Sequence, residues 1–235
     1  MAGIDIRPVG DGAVLATLGT TVDLALVRQC HALAAAAQHA LGPAALDVVP
    51  AYASVLVRFD PIEAKLAEVL AAVRGAAELV SAECPAGMRN RPERKRSWKV
   101  GVCFGGQHGP DLTASASELG LAEERFVSAF CAAEYTVAFL GYIAGFPYLV
   151  GLPDELARPR LAAPRRSVPA GSVGIASRQC GIYPRTSPGG WRLLGRTSAT
   201  LFDARRDPAA LFAPGDEIRF TPVSEFEHAV AKLGT

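Results

Sequence analysis

The sequence predicts an α+β domain of ββαββα order followed by an all-β barrel, and three observations carry that expectation. Over about the first 80 residues, paired apolar runs of strand character twice give way to a stretch with helical spacing. A polar, basic stretch rich in helix breakers follows, CPAGMRNRPERKRS. Beyond it the chain is mostly short apolar runs punctuated by Gly and Pro, the pattern of a compact β domain. The expected limits are residues 1–85 for the α+β domain, 86–97 for a linker and 98–235 for the barrel.

In the first domain, IDIRPV and AVLATL flank Gly10-Asp11-Gly12, which suits a hairpin turn. Thr21 or Asp23 can cap the helix that follows, whose Val22, Leu26, Cys30, Leu33, Ala37 and Leu41 form one apolar stripe before Gly42-Pro43 ends it. LDVVP and SVLVRF give a second strand pair. Pro61 then opens a second helix, with Ile62, Leu66, Val69, Leu70 and Val73 on its buried side. In the second domain WKVGVCF resumes strand character, a short helix lies around Leu121 to Ala132, and strands run from EYTVAFLG to PGDEIRFTPV. SEFEHAVAKLGT is expected as a short helix or tail.

With 235 residues and 50% apolar content, the chain can bury real cores unaided. No stretch has the length of a membrane span and the N-terminus lacks secretory character, so a cytoplasmic protein is expected. Five cysteines without a CxxC pair predict neither a disulfide framework nor a structural zinc site, and no metal ligands are assigned. Net charge of +1 and few Trp and Tyr argue against a nucleic-acid binder.

The charge is unevenly placed. Leu156 to Phe202 holds eight arginines and no acidic residue, leaving 16 basic against 23 acidic residues elsewhere. Scattered arginines more often make a solvated face. Here six glycines and five prolines allow tight turns and close backbone approach, which favours an anion site read by guanidinium forks. GYIAGFPYLVGLP is either tight barrel packing or an apolar wall opposite those arginines, as a small cyclic carboxylate would need. GGQHGPDL lacks the ending of a Walker A loop. Asp111 is read there as a helix cap and His108 as a ligand-facing candidate. Gln179 and Tyr183, in RQCGIYP, are candidate ligand contacts or barrel-closing groups. No catalytic residue and no nucleotide-binding residue is assigned.

The run from GYIAGFPYLVGLP through PRLAAPRRSVPAGSVGIASRQCGIYPRTSPGGWRLLGRT, with VVPAYASVLVRFDP and VCFGGQHGPDL, resembles the PxpB family, which holds the B subunits of bacterial 5-oxoprolinase and the sporulation-kinase inhibitor KipI and is also labelled allophanate hydrolase subunit 1. The resemblance implies that the barrel is cyclophilin-like. It implies work beside a larger PxpC-like partner, related to KipA, and a PxpA-like partner in ATP-dependent opening of 5-oxo-L-proline to L-glutamate. ATP would be used by the complex rather than bound by this chain, with no activity expected from the chain alone. Other readings it admits are an inhibitor of a sporulation histidine kinase and a carboxyltransferase-type component for a urea-derived substrate. Carried over residue by residue, Arg160, Arg165, Gln179, Tyr183 and Arg196 become substrate-binding candidates beside His108, with Pro169 to Gly174 as scaffold. This chain departs from the family pattern at Ala144, where Pro is common, at Cys180, where Thr is common, and at Phe130-Cys131, where His-Ser is common.

Overall fold

The structure, a computed structural model, describes residues 4–82, 96–224 and 231–233. The chain divides into two units, Met1–Glu93 and Arg94–Thr235. Residues 86–95 of the expected linker, Cys84 and His228 lie outside the described residues.

In the first unit β1 (Asp5–Pro8), β2 (Ala13–Thr17), β3 (Ala45–Pro50) and β4 (Ser54–Phe59) form an antiparallel sheet of order β1-β2-β4-β3. Helices α1 (Leu24–Leu41) and α2 (Leu66–Ala82) separate and follow the strand pairs. Alternation along the strands sends Val14, Ala16, Val55, Val57 and Phe59 into one core with Cys30, Leu33, Ala37, Val69 and Val73 from the helices. Asp23 caps α1 by accepting the Leu26 amide at 2.8 Å, and the Thr21 hydroxyl donates to Asp23. Two expectations need correction here. The second helix starts at Leu66 rather than Pro61, because Asp60 accepts the Ile62 and Ala64 amides in a local turn that competes with helix. Ile62 is accordingly 89% exposed instead of buried.

The second unit is built around a closed seven-stranded barrel. Its strands are β5 (Ser97–Phe104), β6 (Tyr135–Leu140), β7 (Pro147–Val150), β9 (Ser172–Ala176), β10 (Gln179–Ile182), β12 (Arg192–Arg196) and β13 (Glu217–Pro222), in the order β12-β9-β10-β7-β6-β13-β5 and back to β12. The β13–β5 seam is parallel, Glu217 opposite Ser97, and β12 meets the far end of β5 at Cys103 and Phe104. A short pair, β8 (Arg165–Val168) and β11 (Ser187–Gly189), stands beside the barrel, as do α3 (Leu112–Ser117) and α4 (Glu123–Ala132). The expected C-terminal helix or tail is instead, at Ala231–Leu233, a strand β14 on the first residues of β5. Among the described residues no helix is long and apolar enough to cross a membrane.

The barrel core holds Val100, Val137, Leu149, Val173, Ile175, Cys180, Ile182, Leu194, Ile218 and Phe220, closed at one side by Phe126 and Phe130 of α4. Phe130 stacks on Phe220 at 5.1 Å and meets Tyr135 at 5.2 Å and Phe104 at 5.8 Å. Phe130, where the family resemblance implies His, is thus a fully buried aromatic packing site. Cys180 likewise faces the core, and burial pushes its thiol pKa far up.

Candidate functional site

A second apolar cluster lies on the other side of the same strands. Leu149, Ile182 and Leu194 belong to the barrel core. Their chain neighbours Tyr148, Tyr183 and Leu193 belong to a cluster with Phe146, Val168, Ala176 and Trp191, as strand alternation requires. The pairing register sets one row across this outer face: Phe139, Tyr148, Gly181, Gly174 and Leu193. The two glycines make room for neighbouring rings in the middle of the row. A Cβ on Gly181 would stand 2.8 Å from the Phe146 ring, and one on Gly174 would stand 3.2 Å from the Trp191 Cβ, so the aromatic groups occupy the room that glycine leaves.

Four rings interlock there. Phe146 packs edge to face with Tyr183 at 5.1 Å and with Trp191 at 5.5 Å, while Tyr148 meets Phe146 at 4.8 Å and Trp191 at 5.7 Å. Arg160 lies over the Trp191 ring, its guanidinium carbon 5.8 Å from the ring centroid. Its charge reaches both phenols. Burial raises the Tyr148 pKa and Arg160 opposes that rise; burial, then the nearby Tyr142 phenol and more weakly Tyr148, pushes Tyr183 up to about 12 against the opposing Trp191 amide and Arg160. The wall GYIAGFPYLVGLP does therefore face an arginine, through Phe146 and Tyr148. Its 140–145 turn lines an open depression of about 260 Å³. Ala144 is exposed on that turn, and Tyr142, at φ 62°, donates its hydroxyl to the Pro188 carbonyl at 2.7 Å.

The rest of the arginine run is largely engaged within the fold. Arg165 donates to Asp111 at 2.6 Å, and the other oxygen of that carboxylate accepts the Leu193 amide at 2.7 Å. Asp111 stands at the start of α3, yet its side chain makes no cap hydrogen bond, because the carboxylate is turned to β8 and β12. At the other end of α3, Glu118 receives Arg192 at 2.8 Å and lies 3.7 Å from Arg158. Arg178 pairs with Asp154. Arg196, at the end of β12, donates to the Ala170 carbonyl at 2.7 Å. The carboxylates missing from the run come from Asp111 and Glu118 at the two ends of α3, which local sequence does not reveal, and from Asp154 just before the run.

Of the candidates read from the sequence, the structure brings together Arg160 and Tyr183. Tyr183 is 2% exposed and sits beneath the cluster rather than at its rim. Arg165 is held by Asp111, with its Nη1 enclosed and without an acceptor. Gln179 opens β10 opposite Ala176, and His108 lies in the Gly105–Gly109 turn beside Gln107; neither joins the ring contacts. Trp191 and Tyr148 are the residues that sequence reasoning did not single out. The only signal for Trp191 was its place in SPGGW, and for Tyr148 its place in the aromatic wall.

The barrel and its flanking elements define the chain as a carboxyltransferase-type module: the family model described as carboxyltransferase domain, subdomain C and D, matches residues 4–212. The urea carboxylase of Kluyveromyces lactis has the same fold, with a TM-score of 0.72 over 94% of this chain and 22% of that one at 19% identity. More particularly, the chain belongs to the family of 5-oxoprolinase B subunits. It is 33% identical to the Bacillus subtilis protein of that name over 97% of this chain and 96% of that one. It is 50% identical to the Escherichia coli O157:H7 protein of that name over 54% of this chain and 58% of the relative. The crystal structure of TTHA0988 superposes with a TM-score of 0.75 at 32% identity, over 90% of this chain and 40% of that longer one. The chain thus spans well under two thirds of TTHA0988, and its match covers little more than half of the Escherichia coli relative.

Proposed function

We propose that this chain is a non-autonomous subunit of an ATP-dependent 5-oxoprolinase, in which the outer barrel face holds 5-oxo-L-proline while PxpA-like and PxpC-like partners join in opening it to L-glutamate. One observation carries the reading: a guanidinium, Arg160, lies over the indole of a glycine-bordered aromatic cluster. The substrate has a small ring with apolar faces and one carboxylate. Trp191 and its neighbouring rings suit the ring, and the Arg160 fork suits the carboxylate in a bidentate pair. Opening a stable lactam needs activation by ATP, which this reading leaves to the partners. The relatives are named as one lettered component of an oxoprolinase, which supports partnership, as does the match to only 40% of TTHA0988, a longer single chain. A cyclophilin-like barrel in a cytoplasmic hetero-oligomer completes the reading.

Reconstitution with the cognate partners tests it through ATP-dependent glutamate release. Arg160→Gln should reduce kcat/KM at least tenfold, in line with about 1.5–3 kcal/mol for a hydrogen bond to a charged group. Lys should restore part of this, since it keeps charge without the fork. The melting temperature should be unchanged. Wild-type turnover by Arg160→Gln, or full turnover without this chain, overturns the proposal. The carboxyltransferase description of the family model favours a second reading, transfer to a urea-derived substrate from a biotinylated partner. Carboxylation of urea by the reconstituted complex, with no glutamate formed, would select it.

A further inference from the structure

We propose that the 140–145 turn, with Phe202 and the ribbon of β8 and β11, is the surface on which a larger partner subunit docks, and that the partner meets it with apolar side chains inside a rim of carboxylates. This rests on the reading of the chain as one subunit of a complex. Among the described residues of the second unit, the exposed large hydrophobic side chains are Tyr142 at 58% and Phe202 at 38%. Far apart in sequence, they meet at one turn. Tyr142 is part of it, and Phe202 packs on Gly145, where a Cβ would stand 2.7 Å from the Phe202 Cβ. The open depression of about 260 Å³ is lined by the same turn. Single exposed apolar residues are ordinary on any surface, but two gathered at one concavity have the form of a contact centre.

The charge around the turn decides the kind of partner. Of the eight arginines between Leu156 and Phe202, Arg158, Arg165, Arg178 and Arg192 lie against carboxylates, and Arg196 donates to a backbone carbonyl. Arg160, Arg166 and Arg185 are exposed and form no ion pair among the described residues. Arg166 is on β8 and Arg185 leads into β11, whose Pro188 carbonyl holds the Tyr142 hydroxyl, so unpaired guanidiniums and the exposed ring share one ribbon. A second copy of this chain, related by a two-fold axis, would set like charges against one another. Carboxylates on a different protein would pair with them. Aromatic side chains with Arg as the sole base is also the composition of an interface rather than of an ordinary solvated face. The relatives point to the source: the matched region spans 96% of the Bacillus subtilis protein but 40% of TTHA0988, so it occurs both as a chain of its own and joined to further chain.

The test measures association and dissociation of this chain with the cognate larger subunit, without substrate or ATP, so the outcome does not depend on what Arg160 holds. Phe202→Ala should raise Kd at least about tenfold, mainly through faster dissociation. Arg166→Glu combined with Arg185→Glu should raise Kd about tenfold through slower association, and the deficit should shrink as salt is raised to about 0.5 M. Arg166→Lys combined with Arg185→Lys keeps the charge and should hold the association rate within about twofold of wild type. Both replaced arginines are exposed, so the reversal tests the rim whatever Phe202→Ala does to the melting temperature. A wild-type Kd in the reversal, or in a Phe202→Ala variant that melts normally, overturns the proposal. Dimerisation of this chain alone that Phe202→Ala abolishes would make a second copy the occupant and overturns it too. Failure of the wild-type chain to bind the larger subunit at all would remove the subunit reading itself, whereas tight binding that both variants retain removes only this surface.

Discussion

The inner and outer sides of one barrel wall are made by the same strands and share almost no chemistry. Inside, Leu149, Ile175, Ile182 and Leu194 pack in a core with no Asp, Glu, Lys, Arg or His among its buried members, closed at one side by Phe126 and Phe130. Outside, one register step away, two glycines make room for Phe146 and Trp191, beside which lie two phenols and a guanidinium. A period of two therefore lets a single run such as RQCGIYP serve the barrel core and, under the proposed function, recognition at once. Substitutions on the inner side should be read by melting and those on the outer side by ligand response.

The largest expected effect breaks the inner side. Phe130→Ala should destabilise the barrel by about 3–5 kcal/mol, since it deletes a ring in contact with three others and leaves a cavity. Denaturant midpoints measure it, and a loss below about 1 kcal/mol would deny that position 130 is core. Next comes the electrostatic seam at α3. Arg165→Gln strands the Asp111 carboxylate, and because Arg165 is itself about 29% exposed, the loss should be about 1–3 kcal/mol, short of a fully buried pair. Activity per folded molecule should stay near wild type, in contrast to Arg160→Gln. A variant that melts normally but loses substrate affinity would move the anion site to Arg165.

The smallest effect is a pH dependence. Burial pushes Cys131 up to about 11, burial and the Asp23 charge do the same for Cys30, and Tyr183 rises to about 12. These groups are more acidic in the unfolded chain, which therefore releases protons first as pH rises. The stabilisation is fully present below about pH 9 and is lost through about pH 9–12. Melting temperature should fall steadily across that window. A flat profile would mean that the inner thiols and the lower phenol are more hydrated than their surroundings imply.

Much of this was legible locally. The Asp23 cap, the Gly42 stop and the hairpin at Gly10 follow from short-range chemistry, and the meeting of an aromatic wall with an arginine was readable as one of two options. The Pro61 start failed because a proline is tolerated equally at a helix N1 and in a turn, and Asp60 decided between them. The arginine run was read as an anion surface because its counter-charges are remote in sequence: Asp111 is 54 residues from Arg165, and Glu118 is 74 from Arg192. Only the fold brings such pairs together. Ala231–Leu233 escaped notice for the same reason, since a three-residue strand is specified by the edge it joins rather than by its own composition.

The parallel seam between β5 and β13 has a consequence for the order of assembly. Its partners stand 120 residues apart, Ser97 against Glu217, and the strand that opens the barrel cannot complete its ladder until one of the last to be synthesised has emerged. During translation β5 therefore waits with unpaired amides and carbonyls while β6 to β12 form around it. Late closure of so long a loop should make the second unit a slow folder and leave an edge open to foreign strands in the interval.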